Sequence, residues 1–250
     1  MARNEHLVEM RGICKRFGGI QALRNVDFHL DPEEIVGLVG DNGAGKSTLI
    51  KILSGVYVPD AGEIYFQGRR VRFESPQHAK SLGIETVHQD RGLVGSFDVP
   101  SNMFLGREPT RFGFLSRRVM EREAREAIAR LGMEIPSFRT PVMYMSGGQQ
   151  QAVAVGRAVS TRPKVVIMDE PTAALAVKEV HKVLDLMRRL RDEGVAVVFI
   201  SHVLQEVLAV ADRVVVLRKG VKVGDLATEE ADVDLIVKLM VGTEEVGCAR

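Results

Sequence analysis

A glycine-rich run in the first quarter of the chain has the residue types and spacing of a phosphate-binding loop. It reads Gly40-Asp41-Asn42-Gly43-Ala44-Gly45-Lys46-Ser47 and fits the pattern G-x-x-x-x-G-K-[ST]. An apolar stretch, Ile35–Val39, precedes it and a helical pattern over Ser47–Leu53 follows, which is the context this pattern requires. A glycine-rich turn with a solvated lysine is the alternative, and the strand–loop–helix context favours nucleotide binding.

Each part of this run suits a phosphate chain with its metal ion. The glycines let backbone N–H groups turn inward as an anion-binding nest. The helix beginning near Lys46 points the positive end of its dipole at the phosphates. Lys46 brings a charge to the phosphate oxygens, and the Ser47 hydroxyl can ligate Mg²⁺. We therefore expect a nucleotide with Mg²⁺ to contact the run from Gly40 to Thr48.

Two adjacent carboxylates, Asp169 and Glu170, follow the apolar strand pattern Val165–Met168. Neighbouring residues on a strand point to opposite sides, so the two acids can do different work. Asp169 is placed to hold the Mg²⁺ shell, and Glu170 to polarise an attacking water as general base. A strand that ends in two solvated acids is the alternative. The phosphate-binding pattern upstream favours the catalytic interpretation.

Composition narrows the classes of partner. The 250 residues include 34 basic and 33 acidic side chains, a net charge of +1 that gives no support for a nucleic-acid partner. Cys14 and Cys248 lie near opposite ends, which predicts neither a disulfide framework nor a metal cluster and suits a reducing cytoplasm. No signal peptide is expected, and the apolar runs are far shorter than the roughly 18 residues needed to cross a bilayer. Any membrane role is therefore expected to depend on a partner chain.

The order of the predicted elements indicates an α/β fold with a mostly parallel core sheet, an antiparallel β subdomain and an inserted helical lobe. No strand signal is visible within the lobe, where Arg118–Leu131 is strongly helical. We expect one domain over residues 1–250: a core from 1–90 and 160–225, the helical lobe at 91–159, and a C-terminal helix and tail at 226–250.

A short motif inside the lobe carries a family resemblance. Met145-Ser146-Gly147-Gly148-Gln149 resembles the L-S-G-G-Q hallmark of the ATP-binding subunits of ABC transporters, with methionine for leucine. Alone, it would be a helix N-cap after a loop, although its hydroxyl, glycine N–H groups and helix dipole also suit a phosphate. The resemblance implies a P-loop NTPase that hydrolyses ATP with Mg²⁺ as a homodimer. In the family, the residues matching Ser146, Gly147, Gly148 and Gln149 contact the γ-phosphate held by the partner subunit.

The resemblance also assigns single residues. Phe17 stands where the family has an aromatic that stacks on adenine, with a partly buried core aromatic as the alternative. Gln89 matches the glutamine that meets Mg²⁺ or the attacking water and senses the transmembrane partner. His202 matches the histidine that contacts the γ-phosphate and the catalytic glutamate. The implied catalytic set is Glu170, His202, Gln89 and Lys46, and the implied Mg²⁺ set is Ser47, Gln89 and Asp169, the last through water.

Wider stretches are similar to the simple-sugar branch of this family, of ribose or fructose type. They include residues 37–64, 75–90 and 170–180. Ala176 stands where most of the superfamily has an aspartate that hydrogen-bonds across the dimer. A loop without that aspartate is unsurprising in the simple-sugar branch. The resemblance implies a second copy of the chain, transmembrane permease subunits and, indirectly, a periplasmic or extracellular sugar-binding protein. It implies a peripheral location at the cytoplasmic face of the inner membrane.

Other functions stay open on the sequence alone. They are transport of another substrate, a non-transport ABC ATPase of DNA repair or translation, and a signalling P-loop switch. A binding switch needs neither the motif at Ser146–Gln149 nor Glu170. Permease docking is expected between the Gln89 loop and the helical lobe, with ordinary core packing as the alternative for its apolar residues, Phe97, Met103, Phe104 and Leu105.

Overall fold

Two β-sheets form the framework of the protein. The computed structural model describes residues 6–88, 90–111, 113–173 and 175–243. Its strands are β1 (Val8–Phe17), β2 (Ile20–Leu30), β3 (Ile35–Val39), β4 (Ala61–Phe66), β5 (Arg69–Val71), β6 (Ile84–Val87), β7 (Thr110–Arg111), β8 (Phe114–Leu115), β9 (Val165–Asp169), β10 (Ala196–Ile200), β11 (Arg213–Arg218) and β12 (Val221–Ala227).

Helices cover the sheets and build a separate lobe. They are α1 (Lys46–Leu53), α2 (Pro76–Leu82), α3 (Val99–Phe104), α4 (Arg117–Arg130), α5 (Gly147–Val159), α6 (Val177–Asp192), α7 (Leu204–Val210) and α8 (Val233–Val241). Two single 3₁₀ turns lie at Val142–Tyr144 and Thr228–Glu230. No helix within the described ranges has the length and apolar character required to span a membrane.

The core sheet has the strand order β12-β11-β3-β10-β9-β6 and is parallel except for the β11–β12 hairpin at its edge. Every residue of β3 and β10 is buried. Such continuous apolar strands are expected where helices or a second sheet cover both faces. The predicted mostly parallel core is confirmed.

Side chains of the core strands alternate between two hydrophobic clusters. In β9, Val166 and Met168 pack with the helical lobe and α6, whereas Val165 and Ile167 pack toward α1 and the second sheet. The second sheet is antiparallel, in the order β2-β1-β4-β5, and matches the predicted β subdomain. The β4–β5 hairpin turns at Gln67 and Gly68, whose φ angles of 50° and 73° suit a tight two-residue turn.

The lobe lies between β6 and β9 and contains α3, α4 and α5. Met103, Ala124, Ile128 and Val155 are among its buried residues. The expectation that the lobe has no strand is wrong at one place, because β7 and β8 form a two-residue antiparallel hairpin there. All four of its strand residues are exposed, so no alternating apolar pattern marked it in the sequence.

Candidate functional site

Three of the predicted functional segments meet at the carboxyl ends of the central core strands. Leu38 in β3 pairs with Ile200 in β10, and Ile200 pairs with Asp169 in β9. The three strands are parallel, so their carboxyl ends lie side by side. Ligands of open α/β sheets bind at this edge. The phosphate-loop residues follow β3, Asp169 ends β9 with Glu170 directly after it, and His202 follows β10.

The glycine-rich loop has a backbone shape that side chains would obstruct. Gly40 has a φ of 148°, and a Cβ on it would lie 2.3 Å from the carbonyl oxygen of Leu217. Gly45 has a φ of 107°, and a Cβ there would lie 2.8 Å from the carbonyl oxygen of Ala22. Because Gly45 is the N-cap of α1 and has no side chain to cap it, the first N–H groups of that helix are left for an anion.

Lys46 folds back over this loop. Its Nζ donates hydrogen bonds to the carbonyl oxygens of Gly40, at 2.5 Å, and Asp41, at 3.0 Å. Burial lowers the pKa of the ammonium, and the charges of Glu170, Asp41 and Asp169 oppose that shift. A bound polyphosphate would supply the negative charge that this desolvated ammonium favours. Ser47 and Thr48, which follow it, are exposed and half-buried respectively.

The carboxylates at the end of β9 have distinct environments. Burial, reinforced by the charge of Glu170, raises the pKa of Asp169, while His88, Lys51 and Lys46 pull it down. Glu170 has a φ of 48°, in the left-handed region, and its N–H donates to the carbonyl oxygen of Ile200 at 3.0 Å. Left-handed backbone at a non-glycine residue is uncommon and often occurs at functional sites.

His202 and Glu170 are brought together as predicted from the family resemblance. Their Nδ1 and Oε1 atoms are 3.5 Å apart. The imidazole is 68% exposed, which leaves it free to approach a phosphate, whereas the glutamate side chain is only 29% exposed.

A glutamate that the sequence did not mark as functional links the segments that carry Glu170 and His202. Oε2 of Glu206 accepts hydrogen bonds from the Thr172 hydroxyl, at 2.6 Å, and from the Ser201 hydroxyl, at 3.3 Å. The same Ser201 oxygen accepts a bond from the N–H of Val203. Thr172 lies two residues after Glu170, and Ser201 directly precedes His202. Both hydroxyl residues are buried, so Glu206 is placed to fix the spacing of Glu170 and His202.

Phe17 packs against Tyr57 and keeps part of its ring exposed. It is 41% exposed, and its ring meets that of Tyr57 edge-on with centroids 5.1 Å apart. Lys51 of α1 places its Nζ 5.6 Å from the same tyrosine ring. The exposed aromatic surface near α1 is compatible with base stacking. Gln89 lies outside the described residues.

The motif in the lobe caps α5. The Ser146 hydroxyl accepts a bond from the Gln149 N–H at 3.3 Å, and Gln149 Oε1 accepts one from the Ser146 N–H at 3.0 Å. Ser146 is exposed, while Gly148 is buried against Glu179 of α6. Ala176 caps the start of α6 without a side-chain hydrogen bond. Met103 and Phe104 are core residues of the lobe, at 0% and 7% exposure, which removes them from the expected docking surface.

Comparison with known proteins gives a consistent set of matches. The ABC transporter family profile matches residues 23–173. A ribose import ATP-binding protein of Rubrobacter xylanophilus is 50% identical over 236 residues, which are 94% of this chain and 47% of that protein. A xylose/arabinose import ATP-binding protein of Sulfolobus acidocaldarius is 45% identical over 94% of this chain and 93% of its own length. The chain thus spans about half the length of several relatives and nearly all of another.

Solved structures agree with the sequence matches. A nucleotide-free ATP-binding cassette from an ABC transporter superposes with a TM-score of 0.82 at 25% identity, covering 93% of this chain and 95% of its own. A dimeric ATP-binding cassette bound to ADP and Pi in a post-hydrolysis state gives 0.75 at 26% identity, covering 88% and 98%.

Proposed function

The chain belongs to the ABC transporter family, and on that premise we propose that it is the ATP-hydrolysing subunit of an importer for a simple sugar of ribose or fructose type. The observation that carries the proposal is the pairing of His202 with Glu170 beside Lys46 at the sheet edge. The sugar class is supported by the relatives named for ribose and for xylose/arabinose import.

In the proposed reaction the phosphate chain of ATP lies along the loop and at the start of α1. The Lys46 ammonium turns from the carbonyl oxygens of Gly40 and Asp41 toward the phosphate oxygens. Glu170 accepts a proton from the water that attacks the γ-phosphate, and His202 holds the carboxylate and the phosphate in a common arrangement. Phe17 stacks on the base, which selects weakly among nucleotides because every base offers a π-face.

The oxygen donors present fit Mg²⁺. Asp169 is a half-buried carboxylate with a raised pKa, so a cation beside it would relieve the desolvation of its charge. We propose that Asp169 and the exposed Ser47 hydroxyl hold the ion, with Gln89 as a further donor, since Mg²⁺ prefers oxygen ligands. When bound, Mg²⁺ would neutralise charge on the phosphates.

Two copies of this domain are proposed to close head-to-tail on two ATP molecules. The loop Gly40–Thr48 of one copy would face Ser146–Gln149 of the other. The exposed N-cap residue of α5, Ser146, and the dimeric cassette bound to ADP and Pi support this arrangement. ATP would close the pair, and hydrolysis with product release would open it.

The permease is proposed to dock in a groove between the core and the lobe. This groove encloses about 710 Å³ and is lined by α2, β6, the end of α3 and α5, including Lys80, Glu85, Leu105 and Arg157. Leu105 is 45% exposed at its rim, and Phe97 is 40% exposed nearby in sequence. A short cytoplasmic segment of the permease would occupy it and keep the ATPase at the cytoplasmic face of the inner membrane, while a binding protein delivers the sugar.

The test is sugar uptake into vesicles that contain the cognate permease, with ATP inside and the binding protein outside. We expect accumulation of a pentose or hexose that depends on ATP. Leu105→Glu should abolish uptake and leave basal ATP hydrolysis within about twofold, because neither Glu170 nor His202 lines the groove. Lys178→Glu, an exposed change on α6, serves as the charge control. Uptake of an amino acid, metal or lipid without sugar uptake would contradict the sugar proposal alone.

A further inference from the structure

The first turn of α6 places the carboxylate of Glu179 against the N-terminal end of α5. The carboxylate interacts with the Ser146 hydroxyl and with the backbone N–H of Gly148. A Cβ added to Gly148 would lie 3.1 Å from three atoms of the Glu179 side chain, and one added to Gly147 would lie 3.5 Å from its Oε2. Glu179 therefore covers the groups of the motif that would meet a phosphate.

This contact is electrostatically favourable. The first N–H groups of a helix lack partners within the helix and carry a partial positive charge, so they attract an anion. The Ser146 hydroxyl and the Gly148 N–H lower the pKa of Glu179, which keeps the side chain ionised. The helix that carries it is held in place by Val183, Leu184 and Met187, which are buried in the core. A γ-phosphate arriving from a partner copy would need the same groups.

We propose that Glu179 is an internal competitor for the partner's γ-phosphate, and that its carboxylate must leave the start of α5 before the two copies can close on ATP. This inference rests on the proposed head-to-tail dimer. It adds a residue, outside the family motif, that sets how much ATP is needed for closure. The competitor raises the ATP requirement because part of the binding free energy is used to displace it.

Arg91 offers the displaced carboxylate a second position. Its guanidinium bonds Oε1 of Gln150 at 2.9 Å and Oε1 of Gln151 at 3.2 Å, and its charge already acts on Glu179. Its Nη2 would lie 3.6 Å from a Cβ on Gly147. Rotation of the Glu179 side chain would exchange the contact with the start of α5 for one with this guanidinium. Arg91 directly follows the segment that joins the core to the lobe, so movement of the lobe would alter this exchange.

A purely supporting role for Glu179 predicts the opposite effect on ATP-dependent closure. If Glu179 only braced the start of α5, its removal would loosen the motif and weaken both the folded state and ATP-dependent closure. A competitor, by contrast, stabilises the open subunit and opposes closure. Both roles predict that replacing Glu179 destabilises the open subunit. Only the competitor role predicts that the replacement also allows closure at a lower ATP concentration.

The experiment uses Glu170→Gln as the parent, because ATP should remain bound without hydrolysis in that variant. Dimer formation is measured by analytical ultracentrifugation against ATP concentration with Mg²⁺. Adding Glu179→Gln should lower the ATP concentration for half-maximal dimerisation about tenfold, as expected when one charged hydrogen-bonded competitor is removed. The same change should lower the melting temperature without nucleotide. Glu193→Gln, an exposed position at the end of α6, should change neither.

Other outcomes are decisive as well. An unchanged or higher ATP requirement in Glu179→Gln would overturn the competitor role. Glu179→Asp keeps the charge with a shorter reach, and we expect it to give an intermediate ATP requirement; a requirement above that of the parent would also contradict the role. If the parent itself forms no dimer at saturating ATP, the proposed dimer fails first, and this inference fails with it.

Discussion

Nδ1 of His202 lies 3.5 Å from Oε1 of Glu170, although the two residues follow different strands of the core sheet. The register of those strands explains the distance. Asp169, directly before the glutamate, pairs with Ile200, and the Glu170 N–H donates to the Ile200 carbonyl oxygen. Glu206 then accepts hydrogen bonds from Thr172, two residues after Glu170, and from Ser201, directly before His202. Glu170 and His202 are thus positioned by the register of the sheet and by the hydrogen bonds of Glu206.

Replacing Glu170 by glutamine should separate ATP binding from hydrolysis. The amide keeps the size of the side chain and cannot accept the proton of the attacking water, so we expect turnover to fall ~10²–10⁴-fold. ATP should still raise the melting temperature, since ligand binding stabilises the folded state by mass action. Steady-state phosphate release and thermal unfolding measure the two effects. Turnover near that of the Glu230→Gln control, an exposed site, would contradict the general-base role.

Glu206→Ala should slow hydrolysis without preventing ATP binding. The change leaves the buried hydroxyls of Thr172 and Ser201 without their carboxylate acceptor, which typically lowers stability by about 1–3 kcal/mol. Looser spacing of Glu170 and His202 should lower kcat about tenfold while KM for ATP stays within about twofold.

Glu206→Gln keeps one acceptor oxygen and should recover part of the lost stability and part of the lost kcat. The two variants are compared by steady-state kinetics and thermal unfolding. A variant with lowered stability and unchanged kcat would show that the network supports the fold alone.

Asp169→Asn should stabilise the nucleotide-free protein. The folded-state pKa of Asp169 is raised, so ionising it is less favourable in the folded protein than in the unfolded chain. Its charge therefore opposes folding above the folded-state pKa, and this penalty disappears as the pH falls through that pKa. Removing the charge should raise the melting temperature at neutral pH. The rise should be about 2–4 °C for each kcal/mol added to the free energy of unfolding.

The matched variant is Asp234→Asn, at an exposed aspartate of α8. It should leave the melting temperature unchanged or slightly lower it. The stabilisation of Asp169→Asn should shrink at acidic pH, where the native aspartate becomes neutral, and its Mg²⁺-dependent hydrolysis should be lost. A lower melting temperature at neutral pH would contradict the raised pKa.

Sequence patterns predicted the parts of the site that lie within single segments. The phosphate loop follows an apolar strand, and Asp169 and Glu170 end another, so local order was sufficient. The element bounds were also close: a helix over Ser47–Leu53 and a strand over Val165–Met168 were expected, and Lys46–Leu53 and Val165–Asp169 are observed.

Contacts between segments that the family resemblance does not assign could not be predicted from the sequence. Nothing in the pattern around Glu206 or Glu179 indicates that each meets residues far away in the chain, because those contacts depend on how α6 and α7 pack. The same limit applies to Met103 and Phe104. Their apolar character suited either a docking surface or a core, and only the packing of α3 against α4 and α5 placed them inside.

The shared-site arrangement is tested by mixing two inactive variants. Lys46→Ala removes the charge at the phosphate loop and should abolish stabilisation by ATP. Ser146→Arg puts a long charged side chain where the partner's γ-phosphate is expected, so it should block closure and leave ATP binding to its own loop intact. Each variant alone should hydrolyse ATP poorly, because both sites of its dimer are damaged.

A mixed dimer contains one doubly damaged site and one intact site, because each site takes its loop from one copy and its motif from the other. An equimolar mixture should therefore recover up to about a quarter of the unmodified activity, since half of the dimers are mixed and each has one working site of two. Mixing Lys46→Ala with Lys46→Ala,Ser146→Arg leaves no intact site and is the control. Recovery that is absent in the test mixture, or a monomer that hydrolyses ATP at full rate without dimerising, would rule out sites shared between two copies.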